Sequence, residues 1–464
     1  MPTKKGIHFE VSERKFLLRS FDLVFVFIGL YFVGNTFSFD YFTVTKENWT
    51  WSLVLAVYIL VFGSVFELYH LKRASKLDVT FKNIILTASV TVLLYLLTPV
   101  ITPFLPNKRI EIIYFYLTII VAIFLWRFLY ITLIESPRFY KKGIIIGSSQ
   151  NAESILEILK KYDQNYKIVG FINSESDVHI NLSDTSIKSL KIGSISKLIK
   201  DENISELIIA IDNPETITTE IYNKLTDLLE KGFKIKAYTQ LFEDLSRRVP
   251  VHFLGRDFYR YFPFSRSNQN KLYIFFHRLL DVVFSFIGLI LTVFFIPFLL
   301  LGNLLGNQGK LLYTQDRVGK NGMNFKIYKF RTMVKNAESR GAQWATINDV
   351  RVTPFGRIMR NLRVDEMPQF YNVLKGDMSM IGPRPERPEF VKSLSKVIPF
   401  YETRHSIKPG LTGWAQVNSR YGDSIEHSLE KLQYDLYYIK HRSFFLDIII
   451  VVKTLSTILY YRGQ

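Results

Sequence analysis

The chain has 464 residues, 48% of them hydrophobic with 39 Phe and 26 Tyr, which allows two or three domains and is rich for a protein that never meets lipid. Its 59 basic and 41 acidic residues leave a net +18, a balance suited to anionic lipid, a phosphorylated substrate or nucleic acid. The absence of cysteine excludes disulfides, thiolate catalysis and sulfur-ligated zinc, and permits a reducing compartment.

The opening "MPTKKGIHFEVSERKFLLR" reads as no cleavable signal, because no small-residue cleavage site closes the apolar stretch behind it. Apolar stretches then lie near 20–38, 50–68, 83–104 and 112–134, each close to the ~20 residues that cross a hydrocarbon core. Lys4, Lys5, Arg14, Lys15 and Arg19 precede the first, Lys72, Arg73, Lys76 and Lys82 join the second to the third, and Arg138, Lys141 and Lys142 follow the fourth. Positive charge marks the cytoplasmic side, so residues 1–138 are expected to form a four-helix transmembrane bundle with both ends in the cytoplasm. Lys108 and Arg109 in the outer loop run against that trend, and Arg127 is near enough to the inner end of the fourth span to snorkel.

Between 139 and 250 short apolar strands ("KKGIIIGSS", "YKIVGFI", "ISELIIAI", "FKIKAY") alternate with polar helical stretches, the rhythm of a Rossmann-like parallel α/β domain. Of a dinucleotide fingerprint the first turn keeps only Gly147, so a structural or regulatory role is expected rather than a cofactor site. Residues 251–270 read as a linker.

The last domain, 271–464, opens with the apolar run "DVVFSFIGLILTVFFIPFLLLGNLL". Lys271, His277 and Arg278 lie before it and Lys310, Arg317 and Lys320 after it, which pulls both flanks to the cytoplasmic side, while Pro297 interrupts its helical hydrogen bonding. A re-entrant helix over 279–305, with Arg278 and Asp281 at its mouth and a bend at Pro297, satisfies both observations. The rest is then a mainly α catalytic domain on the inner leaflet. Near the C-terminus, "FFLDIIIVVKTLSTILYY" carries Asp447 and Lys453, costly at a bilayer centre, and is expected to lie in the interface or pack on the domain.

Three cation-rich motifs fall in this domain. "YTQDRVGKNGMNFKIYKFRTM" offers Gln315, Arg317, Lys329 and Arg331; "NDVRVTPFGRIMRNLRVDEMPQ" places Arg357, Arg360 and Arg363 before an adjacent acid pair; "IGPRPE" sets Arg384 between prolines on a stiff turn. Such a set suits an anion with more than one phosphate. Adjacent carboxylates on a helix diverge by about 100°, so Asp365 and Glu366 suit different jobs rather than one shared proton. One can attack in line while the other ligates Mg²⁺, and nearby cations are expected to keep both ionised. Taken alone, the pair would read as a solvated salt-bridge cluster; the accompanying cation motifs and the membrane-dipping helix argue for chemistry.

"FRTM", "DEMPQ", "NVLKGDMSMIGPRP" and "KPGLTGWAQVN" resemble the signature blocks of the bacterial sugar transferases known as monotopic polyprenol-phosphate phosphoglycosyl transferases, in their long form. The likeness is dense over 270–464 and architectural over 1–265. It implies transfer of a sugar 1-phosphate from a UDP-sugar to undecaprenyl phosphate with release of UMP, the first membrane step of exopolysaccharide, capsule or O-antigen synthesis at the bacterial inner membrane. It further implies Asp365 as the nucleophile of a covalent phospho-sugar intermediate, Glu366 as a Mg²⁺ ligand, Lys329, Arg360 and Arg384 at phosphate-contacting positions, and Pro297 as the helix breaker, with room for a homodimer. Met367 stands where the family's block has Leu, a volume-conserving swap. "VNSRY" at 417–421 departs from the glycine-containing form, which bears on Arg420 as a nucleotide contact beside Gln315. Trp414 and Gln416 fit either an active-site rim or the core.

A nucleotide-sugar dehydratase or oxidoreductase would need an intact glycine fingerprint and a Tyr-x-x-x-Lys; Tyr371 and Lys375 match that spacing only inside the acid-pair block. A non-catalytic scaffold would have no use for the complete set of Asp365, Glu366, Lys329 and Arg384. Nucleic-acid binding accounts for the charge but not for the apolar spans. Residue spacing does not distinguish glucose, galactose or an N-acetylated amino sugar.

Overall fold

The computed structural model describes residues 11–37, 49–74, 77–98, 101–106, 108–134, 140–163, 165–173, 187–211, 217–251, 270–307, 309–334, 337, 349–419 and 424–459. The chain divides into two compact units, Met1–Ser246 and Arg247–Gln464. Most of the expected linker, 252–269, and Arg420 lie outside the described residues.

In the first unit the apolar runs form helices α1 (Val11–Phe37), α2 (Trp49–Val65), α3 (Leu77–Leu96) and α4 (Ile110–Leu129). Leu30, Leu55, Ile84, Phe115 and Ile123 bury between them, while Ile28, Phe32, Leu53, Leu93 and Val121 face outward. Apolar side chains on both faces suit lipid as the outer solvent. Among the described residues three helices are long and apolar enough to cross a membrane, Ser12–Phe37, Ile110–Leu133 and Lys271–Gly306; Trp49–Val65 and Thr80–Leu96 are apolar but shorter.

Arg127 does not snorkel. It is fully buried and its Nη2 donates to Asp22 Oδ2 at 2.6 Å, with Tyr69 under its guanidinium at 5.7 Å. A carboxylate on α1 within reach offers a charged partner inside the protein, which removes the reason to extend toward the interface.

The same unit continues into a five-stranded parallel sheet in the order β3-β2-β1-β4-β5, built from β1 (Lys141–Gly147), β2 (Tyr166–Asn173), β3 (Lys188–Ser189), β4 (Glu206–Ala210) and β5 (Lys234–Ala237). Ile144, Ile146 and Leu207 from its centre bury against Ile221, Leu225 and Leu228 of α7 (Thr219–Glu230), which follows α5 (Ser149–Tyr162) and α6 (Ile195–Asp201). Arg14 of α1 pairs at 2.7 Å with Asp163, the residue after α5, tying bundle and sheet domain.

After α8 (Tyr238–Ser246) the second unit begins earlier than the linker reading implies: Val249 and Val251 bury in its core, and Val249 N donates to Gln433 O at 3.0 Å. Helix α9 (Lys271–Gly306) runs unbroken through Pro297. Its buried residues Asp281, Ser285, Gly288, Thr292, Leu299 and Asn303 recur at helical spacing and make one stripe. A Cβ on Gly288 would come within 2.5 Å of Phe370, and one on Gly302 within 2.2 Å of Phe355, so both halves of the helix approach the domain closely. Phe276, Phe286, Val293 and Leu300 cover the opposite, exposed face.

Hairpin β6 (Leu312–Val318)–β7 (Asn324–Phe330), helices α10 (Pro354–Asn361) and α11 (Gln369–Lys375), the parallel pair β8 (Ser379–Ile381) and β9 (Gly410–Thr412), and helices α12 (Pro388–Leu394), α13 (Trp414–Asn418) and α14 (Ile425–His441) make the body of this unit. Trp414 belongs to the core, its Nε1 donating to Arg247 O at 3.1 Å. The final helix α15 (Phe444–Leu459) hides both of its charges: Asp447 accepts from Tyr273 at 2.6 Å and Tyr438 at 2.7 Å, and Lys453 donates to Asn418. Phe444, Phe445, Ile448, Val451, Leu455 and Ile458 face outward.

Candidate active site

The acid pair sits on a single 3₁₀ turn, Val364–Glu366, between α10 and α11. Arg363 enters it at φ 57°, a left-handed conformation that is costly for a residue with a Cβ, and Pro368 opens α11 behind it. Three residues per turn separate adjacent side chains by about 120°, so the two carboxylates point apart.

They are both buried and have different surroundings. Glu366 Oε1 accepts from Arg384 Nη2 at 2.8 Å and from Lys329 Nζ at 3.4 Å, and Oε2 from Arg363 Nη1 at 3.4 Å. Asp365 Oδ1 is buried with no hydrogen-bond partner among the described residues. Burial, then the neighbouring Glu366 charge, pushes the Asp365 carboxyl up to about 6, against the pull of Lys329, Arg360 and Arg363. Burial would raise Glu366 too, but Arg384, Lys329 and Arg363 overrule it and hold that carboxyl well below the usual range. Lys329 and Arg363 favour the ionised form of both acids, as expected, but Glu366 alone also accepts hydrogen bonds from the cations, so the two carboxyls end far apart. Burial pulls Lys329 down, and the Glu366 charge opposes that pull.

Arg360 donates from Nε to Thr332 Oγ1 at 3.0 Å, and its charge acts on Asp365. Arg317 braces the Arg384 turn: Nη1 donates to Pro385 O at 3.1 Å, and Nη2 to Gln315 Oε1 at 2.8 Å. Arg331 goes elsewhere. Its Nη2 donates to Asn307 O at 2.8 Å, just past the end of α9, where a carbonyl released by the helix needs a donor. Arg278 likewise donates to Val373 O and Leu374 O, each at 2.7 Å, at the C-terminus of α11. Asp281 Oδ1 accepts from Ser379 Oγ at 3.0 Å and Met380 N at 2.8 Å, so it holds β8 against α9.

Arg363 was legible only as one of several arginines before the pair, and nothing in its spacing marks it as a partner of Glu366.

No group of three or more His, Cys, Asp or Glu fit to hold a metal occurs among the described residues. A small hard cation that takes one or two carboxylates and fills its shell from phosphate and water needs no third protein acid, and the unpartnered Asp365 Oδ1 is a donor of the right kind.

The profile of the family described as bacterial sugar transferase matches residues 272–461. A UDP-glucose:undecaprenyl-phosphate glucose-1-phosphate transferase of Caulobacter vibrioides is 40% identical over 187 residues, 39% of this chain and 69% of that protein. The chain belongs to the bacterial sugar transferase family. As a bacterial sugar transferase it is an enzyme, and its acid pair, Lys329, Arg360 and Arg384 all fall inside the matched region. Among other relatives, the UDP-N-acetylgalactosamine-undecaprenyl-phosphate N-acetylgalactosaminephosphotransferase of Aeromonas hydrophila is 46% identical over 223 residues. That match spans about half of either protein, 47% of this chain and 51% of the relative. A UDP-glucose:undecaprenyl-phosphate glucose-1-phosphate transferase of Klebsiella pneumoniae is 29% identical over 459 residues, 94% of each chain.

Proposed function

We propose that this bacterial sugar transferase moves a sugar 1-phosphate from a UDP-sugar to undecaprenyl phosphate, through a covalent intermediate on Asp365. The observation that carries the reading is the division of labour within the pair: Glu366 is gripped by three cations, while Asp365 Oδ1 is buried and unbonded. In the first step Asp365 forms a bond to the sugar-bearing phosphorus and the bridging P–O bond breaks, so UMP departs with the bridging oxygen. In the second, an oxygen of the lipid phosphate attacks that phosphorus and Asp365 leaves as carboxylate. Lys329, Arg384, Arg363 and Arg360 oppose the repulsion between an anionic nucleophile and an anionic diphosphate. Asp365 and Glu366 would hold a Mg²⁺, which supplies charge neutralisation at the diphosphate.

The α9 stripe supports a monotopic seating of the catalytic domain on the cytoplasmic face of the inner membrane. A helix of 36 residues, about 54 Å long, whose packed residues run from Asp281 to Asn303 along one domain leaves that domain on one side of the bilayer at both helix ends. The bare apolar face of α15 suits the same leaflet. On this reading α1 to α4 form the four-span bundle, and the sheet order supports a Rossmann-like domain beside it. The sugar is a glucose or N-acetylgalactosamine 1-phosphate, the two that the named relatives transfer.

The test is UMP release by purified full-length protein with undecaprenyl phosphate, Mg²⁺ and a panel of UDP-sugars, beside Asp365→Asn. Sugar-dependent release that the substitution abolishes is the expected result; release that survives it overturns the covalent step.

A further inference from the structure

Arg384 reaches Glu366 from the turn Gly382–Glu386, and that backbone is held at four successive carbonyls by four separate groups. Pro383 O accepts from Gly410 N at 2.9 Å, Arg384 O from Arg404 Nη2 at 3.1 Å, Pro385 O from Arg317 Nη1 at 3.1 Å, and Glu386 O from Val318 N at 2.9 Å. Two of these donors are backbone amides whose places are set by β6 and β9. Of the two guanidiniums, Arg404 is the more deeply buried, 4% exposed.

Its guanidinium is used as a fork. Nη2 also donates to Asp435 Oδ2 on α14 at 2.7 Å, and Nη1 donates to the Tyr401 hydroxyl at 2.7 Å. Burying such an ion pair returns little stability over a well-packed apolar pair of the same size. An apolar pair would hold α14 in place equally well, but it would leave the Arg384 carbonyl without its donor. A lysine ammonium, with no planar fork, cannot serve three acceptors in one fixed plane.

We propose that Arg404 is a positioning residue for the transfer reaction: it holds the main chain of Arg384 so that the Arg384 guanidinium stays on Glu366 and leaves Asp365 free to attack. The inference rests on the transferase reading above. It acts through Arg384, so its loss should be invisible where the Arg384 contact is already broken.

The experiment compares Arg404→Gln, Arg404→Lys, Arg384→Lys and the double variant Arg404→Gln/Arg384→Lys in the full-length, lipid-reconstituted protein. UMP release is read with the productive UDP-sugar, and amide hydrogen exchange is followed over 379–387 and over 425–441. Arg404→Gln is expected to cost about 10–100-fold in kcat/KM, in the range a misplaced catalytic group loses. Added to Arg384→Lys it should cost less than about threefold more. Arg404→Lys should recover little. Exchange should quicken more over 379–387 than over 425–441, where loss of the Asp435 partner also loosens the helix. Losses that multiply in the double variant, wild-type kcat/KM in Arg404→Gln, or equal loosening of 425–441 would each overturn the proposal. A wild-type protein silent with every UDP-sugar would instead count against the proposed reaction, and the exchange pattern would still decide whether Arg404 holds the turn.

Discussion

Each unit of the chain holds an ionic cluster around a buried acid, and their stoichiometries differ. In the first unit Arg127 meets Asp22 as one cation on one acid, with Tyr69 against it, and the contact joins two helices 105 positions apart in sequence. In the second, Arg384, Lys329 and Arg363 converge on Glu366, with Arg360 acting on Asp365 beside it, so that cations outnumber acids. A balanced pair neutralises its own charge and fastens two helices, even though Asp22 Oδ1, like Asp365 Oδ1, has no hydrogen-bond partner among the described residues. An excess of cations is neutralised only when an anion arrives, which is why the second cluster is the candidate for chemistry.

The contrast can be broken most severely at Asp365. Asp365→Asn is expected to lower UMP release more than about a thousandfold, since the amide is no nucleophile; radiolabel from the sugar phosphate should also cease to co-migrate with protein. The balanced pair should fail differently. Arg127→Leu strands the Asp22 charge and should destabilise the first unit by about 3–5 kcal/mol, whereas Asp22→Leu with Arg127→Leu should recover most of that loss in thermal denaturation of the detergent-solubilised chain. Equal losses in the single and double variants would refute a one-to-one pair. Arg384→Lys should cost about a hundredfold in transfer, because a point charge replaces a directed guanidinium donor, with circular dichroism unchanged.

Asp365 also sharpens the comparison through stability. Its carboxyl is raised from 3.8 to about 6, so the folded state binds its proton more tightly than the unfolded one. Ionising it therefore costs stability as pH rises between those values, and the cost is complete above about 6. At pH 7.5 Asp365→Asn should be more stable than the parent by on the order of 1–3 kcal/mol, read from the unfolding midpoint. The smallest effect is on rate: with the ionised carboxylate as nucleophile, transfer should fall about tenfold per pH unit below about 6. A kcat/KM flat down to pH 5 at subsaturating Mg²⁺ and UDP-sugar would exclude a raised Asp365 carboxyl as the group that must be ionised.

The apolar runs that became α1 to α4 and α9, the alternating strands of the parallel sheet, and the adjacency of Asp365 and Glu366 were legible in the sequence because each depends on local composition and period. So was the Pro-flanked rigidity of the Arg384 turn. Arg331 was grouped with the phosphate cations by its motif, yet it satisfies a carbonyl beyond the end of α9. Arg127 was placed at the interface by its depth, yet a carboxylate on another helix claims it. Spacing along the chain names the charged groups and their neighbours, but a hydrogen bond is made or lost within a few tenths of an ångström between segments far apart in sequence. The sequence by itself determined that this chain carries apolar spans, a parallel α/β domain and an acid pair among cations; only the tertiary structure decided that Glu366 is the clamped acid, that Asp365 is the free one, and that Arg404 stands behind the residue that makes the difference.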